Sequence, residues 1–303
     1  MRLLSLVKRR LVLSGPSSSA AAYPIVAALV AAESFLADRT WRPVSDAQER
    51  FLAELFASGR AEVARIPEIE TLASHDAGEL NDFLQARGFP AVFVPFAERR
   101  FGTASVLDVL VEWLHEGFPT ELTTEEGRRF PAVRLPADVV RFVRARGHGN
   151  PIARLETKSG DTVCMTMVDD PPSGLDLLSR ALELSRAGKE NHDFDGLVFP
   201  MVTLEEEIGL GWLLGLTAGD EDGLPWEIEA AVQRNRLRMN ETGARAESAV
   251  MVQVVAFGVR TRVKPDHVID RPFLVWFERD GLEHPLFAAF AAEDAWRNPG
   301  AIA

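Results

Sequence analysis

The chain has 303 residues, 47% of them hydrophobic and 26% charged, with a formal net charge of −12. That length buries a sizeable core, the composition is that of a globular protein, and the acid excess argues against nucleic acid as the main partner. Cys164 is the only cysteine, which excludes an internal disulfide framework, and no window is apolar for long enough to span a membrane.

At the N-terminus, Arg9-Arg10 followed by apolar and small residues has the outline of an export signal. Ser14 to Ser19 and Pro24 interrupt it, and no small-x-small cleavage site follows. The segment reads instead as a strand, Leu11 to Leu13, a Gly-Pro turn, and a helix containing Ile25, Val26, Leu29 and Val30 that Ser17 to Ser19 can cap. Ser45 and Gln48 stand at capping-box spacing before Phe51, Leu52, Leu55 and Phe56, a helix expected to stop near Gly59. "FPAVFVPF" reads as a strand between prolines. "ASVLDVLVEWL" is apolar almost throughout, so periodicity does not separate strand from helix.

"PIARLETKSGDTVCMTMVDDPPSG" predicts a hairpin turning at Ser159-Gly160, with Cys164 a buried structural thiol among apolar neighbours. A helix with Leu175, Leu178 and Leu182 follows, then the strand "GLVFPMVT". Thr203 and Glu206 repeat the capping-box spacing and predict a helix over "IGLGWLL". In "GARAESAVMVQVVAFGVR", alternate residues from Ala244 to Ala256 are small or apolar, the period of a half-buried strand. "RPFLVWFER" and "HPLFAAFAA" are two more strands joined at Asp280-Gly281. Helices early and strands late, with no linker or repeat, predict one α+β domain over 1–303.

Catalytic signatures are missing. The sequence has no phosphate-binding glycine loop, no GxSxG, no HExxH and no cysteine pair. His192, Asp193 and Asp195 share one loop without a distant fourth ligand and read as a solvated loop. Asp220 and Asp222 read as an acidic turn. Arg128, Arg129, Arg134, Arg141, Arg144 and Arg146 offer either a polyanion site or, more commonly, a solvated basic face. No catalytic residue, metal or cofactor is nominated.

The last third of the chain resembles the serpins, protease inhibitors that insert a loop into their own sheet. The hinge-like run is Asn240-Glu241-Thr242-Gly243, leading into Ala244, Ala246, Ser248 and Ala249. The C-terminal signature is matched by Pro272-Phe273, Pro285-Leu286-Phe287 and Asn298-Pro299 in order. The resemblance is clearest over 196–299, extends to 11–33 and 152–185, and leaves about 40–150 unmatched. Ala244 replaces the usual Thr or Ser, Arg245 stands where an acid is usual, and Glu247 interrupts the small residues.

The resemblance implies a serpin-like α+β fold with mixed β-sheets, a helical N-terminal half and an exposed reactive-centre loop. It implies a loop hinge at Glu241, Thr242, Gly243, Ala244, Ala246 and Ser248, with Gly243 supplying backbone freedom. The family's spacing puts the reactive bond at Phe257-Gly258, suited to a chymotrypsin-like serine protease; Arg260 or Arg262 would suit a trypsin-like one. The activity implied is suicide-substrate inhibition by a monomer. The alternative is a non-inhibitory binding protein whose loop is cleaved or static. The compartment stays open, with the cytoplasm favoured over export.

Overall fold

The structure, a computed structural model, describes residues 16–36, 40–90, 93–96, 102–186, 188–219, 226–228, 231–244 and 264–302. The expected strand Leu11 to Leu13 and the acidic turn at Asp220 and Asp222 lie outside them. β1 (Ser18–Ala20) leads into α1 (Tyr23–Ala32), which buries Tyr23, Ile25, Val26, Ala27 and Leu29. The serines do not cap this helix. Ser18 and Ser19 belong to β1, and α1 opens with Pro24 in its first turn, where a missing N–H costs nothing.

After β2 (Trp41–Arg42) comes the helical run opened by Ser45, whose Oγ accepts from Gln48 N at 3.4 Å. The Gln48 side chain accepts from Val44 N at 2.7 Å, one residue before the reciprocal bond of a full capping box. The run consists of α2 (Asp46–Phe51), a π-type turn over Leu52–Phe56, and α3 (Ala57–Glu62). It passes through Gly59 rather than stopping there. A Cβ at Gly59 would stand 3.2 Å from Val26 Cγ2, so the glycine serves the close packing of α3 on α1.

β3 (Ile69–Ser74), α4 (Ala77–Gln85), β4 (Gly102–Leu107) and β5 (Val111–Glu112) follow. The ambiguous apolar run is therefore strand, with Ala104, Val106 and Val111 buried. The strand expected over Phe89 to Phe96 is absent at 93–96. There the Asn81 side chain donates to Phe93 O (2.8 Å) and accepts from Phe93 N (2.9 Å), replacing a strand partner.

β6 (Phe118–Thr123), β7 (Arg129–Pro136), β8 (Val140–Arg144), β9 (Ile152–Glu156) and β10 (Thr162–Met167) come next. The β9–β10 hairpin turns where predicted, with Gly160 at φ +85°. α5 (Asp176–Ser185) buries Leu177, Leu178, Ala181 and Leu184. β11 (Lys189–Glu190), β12 (Gly196–Pro200) and β13 (Val202–Gly209) precede a single 3-10 turn at Gly211–Leu213.

Thr203 and Glu206 therefore cap no helix; they lie in β13. Its partner is distant in sequence. After β14 (Thr217–Ala218) and β15 (Trp226–Glu227), β16 (Val232–Met239) sets Arg236 opposite Glu205 and Arg234 opposite Glu207. Both pairs form ion pairs across the ladder, the first at 3.0 Å. β17 (Gly243–Ala244), β18 (His267–Val268), β19 (Phe273–Glu278) and β20 (Phe287–Ala291) complete the order.

A seven-stranded antiparallel sheet runs β1-β20-β19-β10-β9-β8-β11. A four-stranded sheet runs β18-β12-β7-β6, with β12 and β18 parallel. Smaller ladders pair β3 with β4, β13 with β16, and β5 with β17. The main core lies between the large sheet and the rest, around Trp113, Phe199, Phe273 and Met165. Cys164 is buried as expected, and burial pushes its thiol pKa up.

One charged side chain ties three segments together. Arg279, at the end of β19, forks onto Asp161 (2.7 and 2.9 Å) in the β9–β10 turn and onto Glu68 (2.6 and 2.8 Å) before β3. Its hydrogen bonds hold the Glu68 carboxyl below the usual carboxylate range. Asp161 is 1% exposed. Arg279→Met strands that buried carboxylate and should cost about 3–5 kcal/mol in urea unfolding, with Lys a poor replacement for the planar fork.

Candidate functional site

β4 and β16 each have one ladder partner among the described residues, β3 and β13 respectively. Both rest on the β1–α1 segment. Thr103 Oγ1 donates to Ala28 O at 3.0 Å, and Gln233 Nε2 donates to Ala21 O at 2.8 Å. Asn235 Nδ2 donates to Ser19 Oγ (3.0 Å), which donates in turn to Glu206 Oε2 (2.6 Å). Across the opposite face, Leu80 of α4 lies against Gly102, and Arg236 reaches Gly88 O at 3.4 Å and the Phe89 ring at 5.3 Å.

The expected hinge residues up to Ala244 lie at one end of this arrangement. Asn240 is buried, and its Oδ1 accepts from Thr242 N (2.9 Å) and Thr242 Oγ1 (2.7 Å). Its Nδ2 donates to Gly300 O at 3.0 Å, and its backbone N–H bonds Gly243 O at 3.0 Å. The chain thus reverses immediately after β16. β17 returns beside the end of β16 and pairs antiparallel with β5, Gly243 opposite Glu112 and Ala244 opposite Val111.

Trp113 clamps the reversal. Its indole Nε1–H donates to Asn240 O (3.0 Å) and its backbone N–H to Thr242 O (3.2 Å). Gly117 N–H donates to Glu241 O at 2.7 Å. The fully buried indole stands edge-on to Phe199 at 6.1 Å. Gly243 plays a different role from the one expected. Its φ is not left-handed; a Cβ there would overlap the Val111 carbonyl oxygen and stand 2.9 Å from Glu112 Cα. Close approach of two backbones, rather than backbone freedom, demands glycine.

Beyond the undescribed residues the chain returns on the four-stranded sheet. Lys264 donates through its N–H to Asp195 Oδ2 (2.6 Å) and through Nζ to His192 O (2.6 Å). Asp266 receives Arg134 at 2.7 and 3.1 Å, and β18 pairs with β12. Residues 245–263 are therefore flanked by two anchored ends.

No family model matches the chain, and no curated protein matches it significantly. Solved structures do. Serpin48, described as a highly specific serpin in the insect Tenebrio molitor, matches at TM-score 0.60 and 11% identity over 92% of each chain. Mouse protein-Z dependent protease inhibitor matches at 0.58 and 10% identity over 92% of this chain and 91% of its own. Thyroxine-binding globulin complexed with thyroxine matches at 0.56 and 12% identity over 91% and 92%. This chain has the serpin fold.

Of the expected hinge residues, the serpin-fold structure sets Glu241, Thr242, Gly243 and Ala244 along Val111 to Gly117: Thr242 on Trp113, Glu241 on Gly117, and Gly243 and Ala244 opposite Glu112 and Val111. Ala246, Ser248, Phe257, Gly258, Arg260 and Arg262 lie outside the described residues. Sequence reasoning missed Trp113, Thr103, Gln233 and Asn235. An indole in an apolar strand looks like ordinary core, and only its N–H, needing an acceptor, hints at more.

The other candidates read as structure. Arg128, Arg134, Arg141 and Arg144 pair with Glu293, Asp266, Glu156 and Asp193. His192 stands 3.4 Å from Glu190, and no group of three potential metal ligands occurs among the described residues. A cavity of about 350 Å³ near His148 and Arg271 has polar groups already engaged: His148 with Thr166, Arg271 with Asp169 and Asn150.

Two substitutions test the clamp. Gly243→Ala should part β17 from β5 and raise amide exchange over Val111 to Trp113; unchanged protection would contradict the close approach. Trp113→Phe leaves a buried carbonyl without its donor and should cost about 1–3 kcal/mol in urea unfolding.

Proposed function

We propose that this chain inhibits serine proteases as a suicide substrate, working as a monomer. The observation that carries this reading is β17, a strand of two residues already turned back from β16 and paired with β5. Beyond it, β4 and β16 share no ladder with each other among the described residues. The residues after Ala244 would continue that strand between them. Ala246, Ser248, Val250, Val252, Val254 and Ala256 are small or apolar, as an inward face requires.

The chemistry belongs to the protease. Its serine hydroxyl attacks the carbonyl of Phe257, forming an ester as the peptide bond to Gly258 breaks and the new amine takes up the proton. Insertion of the freed segment then carries the acylated protease away before water completes hydrolysis. Successive residues inserted between β4 and β16 would bond the two strands alternately, so the driving force is strand addition itself. No side chain of this chain acts as a catalyst. A chymotrypsin-like enzyme is favoured by Phe257; cleavage at Arg260 or Arg262 would shift the target to a trypsin-like one.

The thyroxine-bound neighbour supports a second reading, a binding protein whose loop traps nothing. Denaturing electrophoresis with intact mass separates the two after incubation with chymotrypsin-like and trypsin-like proteases. The expected result is a surviving adduct at the summed mass, less a C-terminal peptide beginning at Gly258. Cleavage between 245 and 263 without an adduct favours the binding protein. Absence of any cleavage there overturns the inhibitor.

A further inference from the structure

Among the described residues β18 is a two-residue strand at the edge of its sheet, shortly after residue 263. Its backbone hold is short: the Leu197–His267 and Val198–Val268 register, the bond from Ile269 N to Val198 O at 2.8 Å, and the bond from Asp195 N to Pro265 O at 3.1 Å just before β12. At its centre His267 is 5% exposed, its ring 5.7 Å from Phe142 and 4.9 Å from Phe194. Its Nε2 is buried with no hydrogen-bond partner among the described residues. Buried polar atoms nearly always have one, and a phenylalanine or leucine would fill this space without that cost.

The ionisable groups on the surrounding elements offer the ring no counter-charge. On its own segment, Lys264 is bound to the 192–195 loop and Asp266 to Arg134 of β7, while Asp270 lies beyond the strand. On β8, Arg141 pairs with Glu156 and Arg144 with Asp193; Asp138 precedes that strand. In the loop, Asp195 accepts from Lys264 N and His192 pairs with Glu190, while β12 carries no charge.

We propose that His267 makes β18 an acid-released catch: a proton on the imidazole expels the ring from between Phe142 and Phe194 and detaches 264–269 from the edge of β12. Burial alone depresses the folded pKa from 6.5 to about 4. Above pH 6.5 the ring is neutral in both the seated and the released strand, and the catch holds fully. As pH falls from 6.5 towards 4, the released strand binds a proton that the seated one does not, and the hold weakens. The catch concerns the strand itself and stands whether or not the preceding segment traps a protease.

Hydrogen–deuterium exchange of the full chain tests this, corrected for the intrinsic pH dependence of exchange, at pH 7.5 and pH 5. A peptide covering 264–270 should open about 30-fold more readily at pH 5, while one covering β19 stays protected. His267→Phe and His267→Gln should each abolish the acid response; the two differ in packing, so one serves if the other fails to fold. A flat wild-type profile overturns the proposal, as does an acid response that survives in either variant. Simultaneous opening of β19 also overturns it, because the response is then global unfolding.

Discussion

Three successive backbone carbonyls, of Asn240, Glu241 and Thr242, take their hydrogen bonds from one short stretch, Trp113 to Gly117. A buried acceptor left unbonded costs about 1–3 kcal/mol, so this triple contact dictates where β16 must end and where the chain must turn. With the turn so placed, β17 has one available position, between β5 and the end of β16.

The slot between β4 and β16 has a polar floor and a partly charged cover. On one face, Ser19 links Asn235 to Glu206, and Gln233 bonds the Ala21 carbonyl just before α1. On the opposite face, Arg236 reaches from β16 to the turn after α4. Among the described residues, β4 and β16 share these supports but no ladder with each other. Elsewhere the framework is tightly packed, in the buried β19–β20 hairpin and in the Arg279 fork at its turn.

Much of the framework was legible in the sequence. The hairpin turns at Ser159-Gly160 and Asp280-Gly281, the Ser45 cap and the buried Cys164 are local features, and local chemistry decides them. The errors share one cause. Thr203 and Glu206 have capping-box spacing, but the arginines that draw this stretch into a ladder, Arg234 and Arg236, lie far downstream. Gly59 and Gly243 both look like flexible punctuation, yet each answers to a neighbour remote in sequence, Val26 in one case and Val111 in the other. At the site, the run Asn240 to Gly243 stood out as a run of residue types, and the chain turns there. Its clamp did not, because nothing about Trp113 in one dimension points to Asn240.

The clamp also bears on how far such a chain can drift. Backbone carbonyls are present whatever the side chain, so the contacts to Glu241 and Thr242 survive most replacements at those two positions. Identity matters at few places: an indole N–H at 113, an amide at 240 to hold the turn, no side chain at 243. A turn specified mainly by main-chain atoms leaves the side chains around it free to diverge, in a chain that shares about one residue in nine with a neighbour of the same fold.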